Sequence, residues 1–143
     1  MIPLRAQQRY LGIILNLYPQ EDLMLRLYVN ERDPELYEDD DVAQYREMDQ
    51  HGYQPKLLRG SLWTLLPSTP PKAIYPEQQW VFSGGARTLI YGYYITGVDS
   101  GELAWAEAFR DPVTGALDPP LIRSSGDDLI VVPKTSLRAE VYR

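Results

Sequence analysis

The chain has no cysteine and a single histidine, His51. The first absence removes disulfides, thiolate zinc, iron–sulfur ligation and a cysteine nucleophile. The second removes any two-histidine metal site within one chain. Phenylalanine is scarce, at two residues. Long apolar runs are missing. The longest near the N-terminus, Leu11-Gly12-Ile13-Ile14-Leu15, falls far short of the ~20 residues that cross a bilayer. No targeting pattern accompanies it, so a soluble, cytosolically made protein with no membrane partner is expected. The net charge is −6 and the pI about 4.7. Such a balance argues against a nucleic-acid partner, which needs a basic patch.

What is present fits one globular domain: 143 residues, 44% hydrophobic and 24% charged, close to ordinary composition. Eleven tyrosines and three tryptophans dominate the aromatic set. Their rings are apolar with a polar tip, which suits half-buried sheet faces and interfaces. Twelve prolines exclude long regular elements.

Pro3 suits a first helical turn. Tyr10, Ile14 and Leu17 then share one helical face, which predicts a helix over Ala6–Tyr18 ended by Pro19, with a strand over Leu11–Tyr18 as the competing reading. Leu23–Val29 alternates as a half-buried strand. From Glu31 to Asp49 nine acids face only Arg32 and Arg46. That segment carries −7, leaving +1 for the rest. Asp40 or Asp41 is expected to cap a short acidic helix, with Val42, Tyr45 and Met48 inward and His51-Gly52 at its end.

Beyond Tyr53 the pattern is β. Strands are expected at Lys56–Arg59, Leu62–Leu66, Lys72–Tyr75, Gln79–Ser83, Thr88–Thr96, Glu102–Phe109, Asp128–Pro133 and Ser136–Tyr142, separated by glycine-, serine- and aspartate-rich turns. Thr88–Thr96 has apolar residues on both faces and reads as a central strand, joined to Glu102–Phe109 as a hairpin. Alternation puts Leu103, Trp105, Glu107 and Phe109 on one face of the latter. Arg110–Gly126 shows no period, and loops of that length are commonly functional or held on a partner. The fold class is therefore mainly β, an antiparallel sandwich or barrel with an N-terminal helix and one short acidic helix. Residues 1–143 form one domain: arm and helix 1–19, acidic segment 31–52 and β core 53–143.

Reactive constellations are weak. There is no G-x-S-x-G, and His51 reads as an exposed turn residue. Asp39-Asp40-Asp41 lacks the alternate ligands and glycine of a calcium loop, and reads as a solvated acidic loop or a docking arm for a basic partner. Ser83-Gly84-Gly85-Ala86 is a turn without phosphate-loop spacing. Glu77, Glu102 and Glu107 offer carboxylates for glycoside hydrolysis with nothing to set their separation. Trp63, Trp80 and Trp105 suit either a sugar-stacking platform or packing, and packing is favoured on alternating strands. No catalytic residue, metal site or cofactor is expected.

An ordered series of short blocks remains. It runs from Leu23-Met24-Leu25-Arg26-Leu27-Tyr28-Val29-Asn30, through the acidic segment ending in His51-Gly52-Tyr53, to Leu62-Trp63-Thr64 and Tyr75-Pro76-Glu77-Gln78-Gln79-Trp80. Tyr91-Gly92-Tyr93-Tyr94-Ile95-Thr96, Leu103-Ala104-Trp105-Ala106-Glu107 and Leu129-Ile130-Val131-Val132-Pro133-Lys134-Thr135-Ser136-Leu137 complete it. In this order the chain resembles small β-rich virion proteins of tailed bacteriophages, most closely capsid decoration (cement) proteins. Pro67–Pro71 and Arg110–Gly126 depart from that pattern. The resemblance implies a non-enzymatic structural protein on the capsid exterior, made in the host cytoplasm. It implies the major capsid protein as partner and a homotrimer, with a tail or baseplate component or a carbohydrate-binding module as alternatives. Interface candidates are Ile2, Leu4 and Arg5 in the N-terminal arm and Asp39, Asp40 and Asp41 in the acidic segment. Tyr91, Tyr93 and Trp105 on the strands and Arg138 and Tyr142 in the tail complete them.

Overall fold

In chain order, a helix α1 (Leu4–Ile14) is followed by β1 (Leu23–Tyr28), β2 (Lys56–Leu58), β3 (Thr64–Leu66), β4 (Lys72–Ile74), β5 (Gln78–Val81), β6 (Thr88–Leu89), β7 (Gly92–Gly97), β8 (Leu103–Ala108), β9 (Leu121–Ile122), β10 (Asp128–Val131) and β11 (Lys134–Ser136). These elements come from a computed structural model that describes residues 2–123 and 126–136. The expected strand beyond Ser136, with Arg138 and Tyr142, lies outside the described residues.

Four strands form an antiparallel sheet in the order β2-β1-β7-β8, and the shorter antiparallel sheets are β10-β5, β11-β4-β3 and β6-β9. The protein is mainly β with one helix near its N-terminus, as the alternation predicts. Its principal core packs Leu25, Leu27, Ile95 and Trp105 of the large sheet against Trp80, Phe82, Ile122 and Val131 of the shorter strands and their connections. A second cluster of Tyr28, Tyr45, Tyr94, Leu103 and Ala106 covers the other face. The expected central strand is β7: it lies between β1 and β8, and all six of its residues are buried.

Four local features differ from the periodic reading. The helix starts at Leu4 and stops at Ile14 rather than at Pro19, because Asn16 adopts φ 60° and the chain turns back. Leu17 N–H then donates to Gly12 C=O at 2.7 Å. The Tyr18 ring lies where a Cβ on Gly12 would stand, 2.3 Å from its nearest carbon. Second, the strand expected over Thr88–Thr96 is broken at Ile90 and Tyr91, because β6 leaves to pair with β9. The non-periodic Arg110–Gly126 stretch supplies β9. Third, Ile95 faces Trp105 while Thr96 faces Leu103, so Ala104 is an extra residue in the ladder. Such a bulge reverses the alternation, which moves Leu103 from the Trp105 side to the Tyr94 side. Fourth, the acidic helix is replaced by two 3₁₀ turns, Pro34–Leu36 and Val42–Gln44. Tyr45 and Met48 point inward as expected, while Val42 is exposed.

His51 corrects the sequence reading. It is buried at φ 61°. Its Nδ1 lies 2.9 Å from the Ser83 carbonyl oxygen, and Nε2 lies 2.7 Å from that of Ala86 and 3.1 Å from Thr88 Oγ1. The imidazole therefore ties the acidic segment to the turn after β5.

The close fit at β7 depends on Gly92. An added Cβ would meet the Glu107 carbonyl oxygen at 2.2 Å and the Tyr28 ring at 2.6 Å. The strand backbone and a fully buried ring cannot both yield, so Gly92→Val is expected to destabilise the fold by about 3 kcal/mol or more. Urea unfolding followed by tryptophan fluorescence checks this; a loss within about 0.5 kcal/mol, the range of an ordinary surface change, contradicts it.

Candidate interaction surface

The N-terminal arm and the acidic segment, far apart in sequence as candidates, meet in space. Leu4 N–H donates to Glu38 C=O at 3.2 Å, and Arg5 Nη1 lies 3.6 Å from Asp41 Oδ2. Ile2 packs against the core, while Leu4 and Arg5 face solvent. The three consecutive aspartates then take three different roles. Asp39 is exposed. Asp41 caps Val42–Gln44: its Oδ1 accepts from Ala43 N–H at 2.9 Å, and Gln44 Oε1 accepts from Asp41 N–H at 2.8 Å. Asp40 is only 5% exposed. Its Oδ2 accepts from Arg32 Nε at 2.9 Å and from the Tyr45 hydroxyl at 3.0 Å. Burial first, then the Asp40 carboxylate, pushes the Tyr45 phenol far above its ordinary range.

The solvated reading is therefore corrected for Asp33, Asp40, Asp41 and Glu47, which are held in ion pairs, while Glu31, Glu35, Glu38, Asp39 and Asp49 are exposed. Tertiary arginines offset part of the segment's charge: Arg110 pairs with Asp33, Arg5 with Asp41, and Arg26 with both oxygens of Glu47 at 2.9 Å. Glu47 also accepts from the Tyr53 hydroxyl at 2.9 Å. The segment joins the sheet through Val29 N–H to Arg46 C=O at 2.9 Å and Met48 N–H to Leu27 C=O at 3.0 Å.

The strand candidates lie mostly inside. Tyr91 is half-buried beside the tyrosine cluster. Tyr93 and Trp105 are buried in the chain's own core, because β7 and β8 are covered on both faces. This corrects their reading as surface contacts between subunits. Their polar tips converge on one carboxylate: Glu107 Oε2 accepts from the Tyr93 hydroxyl at 2.9 Å and from Trp105 Nε1 at 3.4 Å. Lys134 Nζ pairs with Glu107 Oε1 at 3.2 Å. Burial first, then Glu107, raises the Tyr93 phenol far above its ordinary range.

The tryptophans do not make a sugar platform. Trp80 and Trp105 are buried, and Trp80 Nε1 donates to Gln54 C=O at 2.8 Å. Trp63 packs edge-on against Tyr75 at 5.2 Å. The carboxylates weighed for hydrolysis are not assembled as a site: Glu107 is bound in the core network, Glu77 precedes β5 and Glu102 precedes β8. Among the described residues no group of three or more acidic or histidine side chains is placed to hold a metal, and no helix is long and apolar enough to cross a membrane.

One concave feature escaped the sequence reading. Between α1, the linker before β1, the end of β2 and the β7–β8 turn lies an open cleft of about 670 Å³. Arg9 and Glu21 line it, brought together from two elements with no local signature. Burial pushes the phenol of Tyr10, on its wall, up to about 12. Comparison of the chain with protein-family models, curated proteins and solved structures finds no match.

Asp39 and Asp40 are neighbours with opposite environments. Removing one partner of a buried ion pair leaves an uncompensated charge and costs about 3–5 kcal/mol. Asp40→Ala is expected to lose about 3 kcal/mol, while Asp39→Ala stays within about 0.5 kcal/mol. Equal losses in urea unfolding contradict the assignment of Asp40 as a structural carboxylate.

Proposed function

We propose that the protein is a structural component of a tailed-phage virion, a capsid decoration (cement) protein that binds the major capsid protein between capsomers as a homotrimer. The observation that carries this reading is the distribution of exposed apolar side chains. The outer side of α1 presents Leu11 and Ile14, with Leu15 just past its end, and Ile14 is 75% exposed. Leu65 on β3 is 82% exposed, and Val81 on β5 is 67% exposed with Ile130 of β10 on the same sheet face. Large apolar side chains gathered on separate elements suit a subunit that is completed by neighbours. The block resemblance to virion proteins supports the same reading. Linking several such faces in an oligomer turns weak contacts into firm attachment, and a closed trimer matches the threefold positions of an icosahedral shell. The tryptophan positions weigh against a carbohydrate-binding module.

Two measurements test this. Sedimentation equilibrium is expected to give a mass three times the 16.4 kDa chain, and the protein is expected to co-sediment with phage heads that lack it. A monomer that stays in the supernatant overturns the reading. A tagged copy found only on tails by electron microscopy replaces it with a tail component.

A further inference from the structure

The sheet β11-β4-β3 is thinly supported. Its three strands have three residues each. No residue of β3 or β4 is buried, and all three of β3 are exposed. A sheet that small, without a buried face, is marginal alone. β3 has β4 on one side and no strand on the other among the described residues. That edge carries none of the usual guards: Thr64-Leu65-Leu66 has neither charge nor proline, and Leu65 is 82% exposed. An open, uncharged, apolar edge is a template for another strand.

Backbone direction decides what that edge offers. Tyr75 N–H donates to Pro133 C=O at 2.9 Å, and in an antiparallel ladder every second residue faces the same neighbour. Ala73 therefore also faces β11, while Ile74 and Lys72 face β3. Leu65 stands opposite Ala73, so its own N–H and C=O point outward from the sheet. On the other edge the ladder runs out. Ser136 is opposite Lys72, so the next register position, that of Leu137, meets Pro71, and the one after it meets Pro70. Neither proline has an N–H to give. Yet the sequence after Ser136 keeps a strand's alternation, with Leu137, Ala139 and Val141 against Arg138, Glu140 and Tyr142. A segment that alternates but finds no ladder on β4 complements an edge that has no strand. The two do not meet easily within one copy. β3 and β11 lie on opposite sides of β4, and the segment leaves β11 at the end closed by the Pro67–Pro71 connection. Reaching β3 there means crossing two strand spacings, about 10 Å, around that connection.

We infer that residues 137–142 of one copy of this chain add a strand to the outer edge of β3 in a second copy. Backbone groups of the added strand bond the N–H and C=O of Leu65, and its apolar residues lie on the Leu65 side of the sheet. The segment given and the edge that receives it are different surfaces, so each copy gives one strand and takes one. Such a head-to-tail contact closes as a ring. The inference rests on the homotrimer of the proposed function for its copy number alone, and is independent of attachment to a phage head.

A chain without cysteine makes disulfide trapping unambiguous. Leu65→Cys is combined in turn with Leu137→Cys, Ala139→Cys and Val141→Cys in the full chain, and each protein is oxidised and run on a denaturing gel without reductant. At least one pair is expected to give covalent dimers and trimers that collapse to a single band on reduction, while the single-cysteine variants stay monomeric on the gel. Removing residues 137–143 is expected to lower the mass in sedimentation equilibrium from three chains to one, with the folded chain's tryptophan emission kept. Leu65→Pro takes away the outward N–H and spares the bonds to β4. It is expected to raise the concentration at which the oligomer dissociates about tenfold. Disulfides formed only within one chain overturn the inference, and so does the absence of a disulfide in all three pairs. A wild type that is monomeric throughout overturns it whether or not it co-sediments with heads. A truncated chain that stays trimeric overturns it and leaves the virion reading standing. An oligomer that falls apart on truncation but never co-sediments with heads does the reverse.

Discussion

Everything in this fold is arranged around a strand that has water on neither side. The six residues of β7 are all buried, and a strand in that position needs an apolar cover on both faces and a ladder on both edges. β1 and β8 supply the ladders. Trp80, Phe82 and Val131 cover one face, and Tyr28, Tyr45 and Leu103 occupy the other. Gly92 is the point of closest approach, where the Tyr28 ring crosses the strand and its hydroxyl donates to Arg32 C=O at 2.9 Å.

The second cover explains the acidic segment. Tyr45 is held against Tyr28 and Tyr94 with ring centres 4.9 and 5.5 Å away, and Asp40 fixes its hydroxyl while pairing with Arg32. A charge-rich stretch is thus part of the core's roof, and the carboxylates of Asp33, Asp40, Asp41 and Glu47 serve to fasten it. Its remaining charge faces solvent beside the N-terminal arm.

What was legible in the sequence is what has a local period or a local turn. Leu23–Tyr28 alternates and forms β1. Val98-Asp99-Ser100-Gly101 reads as the turn between β7 and β8. Asp41 is a capping residue whose partners lie two and three positions away. What was hidden depends on partners distant in sequence. The close approach at Gly92 was not legible, because it depends on the Tyr28 ring and the Glu107 carbonyl of neighbouring strands. Asp40 differs from Asp39 only through Arg32 and Tyr45. His51 is buried by carbonyls at Ser83 and Ala86. The bulge at Ala104 and the break at Ile90 follow from ladder geometry, which periodicity assumes to be regular. Arg9 and Glu21 of the cleft meet only once α1 has packed beside the linker before β1.

Amide hydrogen exchange, read residue by residue, reports most directly on whether the acidic segment is structural cover for β7. The amides of Val29 and Met48, which bond across the junction of segment and sheet, are expected to be protected nearly as strongly as those of Tyr94 and Ile95, opening with the sheet as one cooperative unit. Exchange of Val29 and Met48 at the rate of an unfolded chain while β7 stays protected would contradict this, because the sheet would then hold without its second cover.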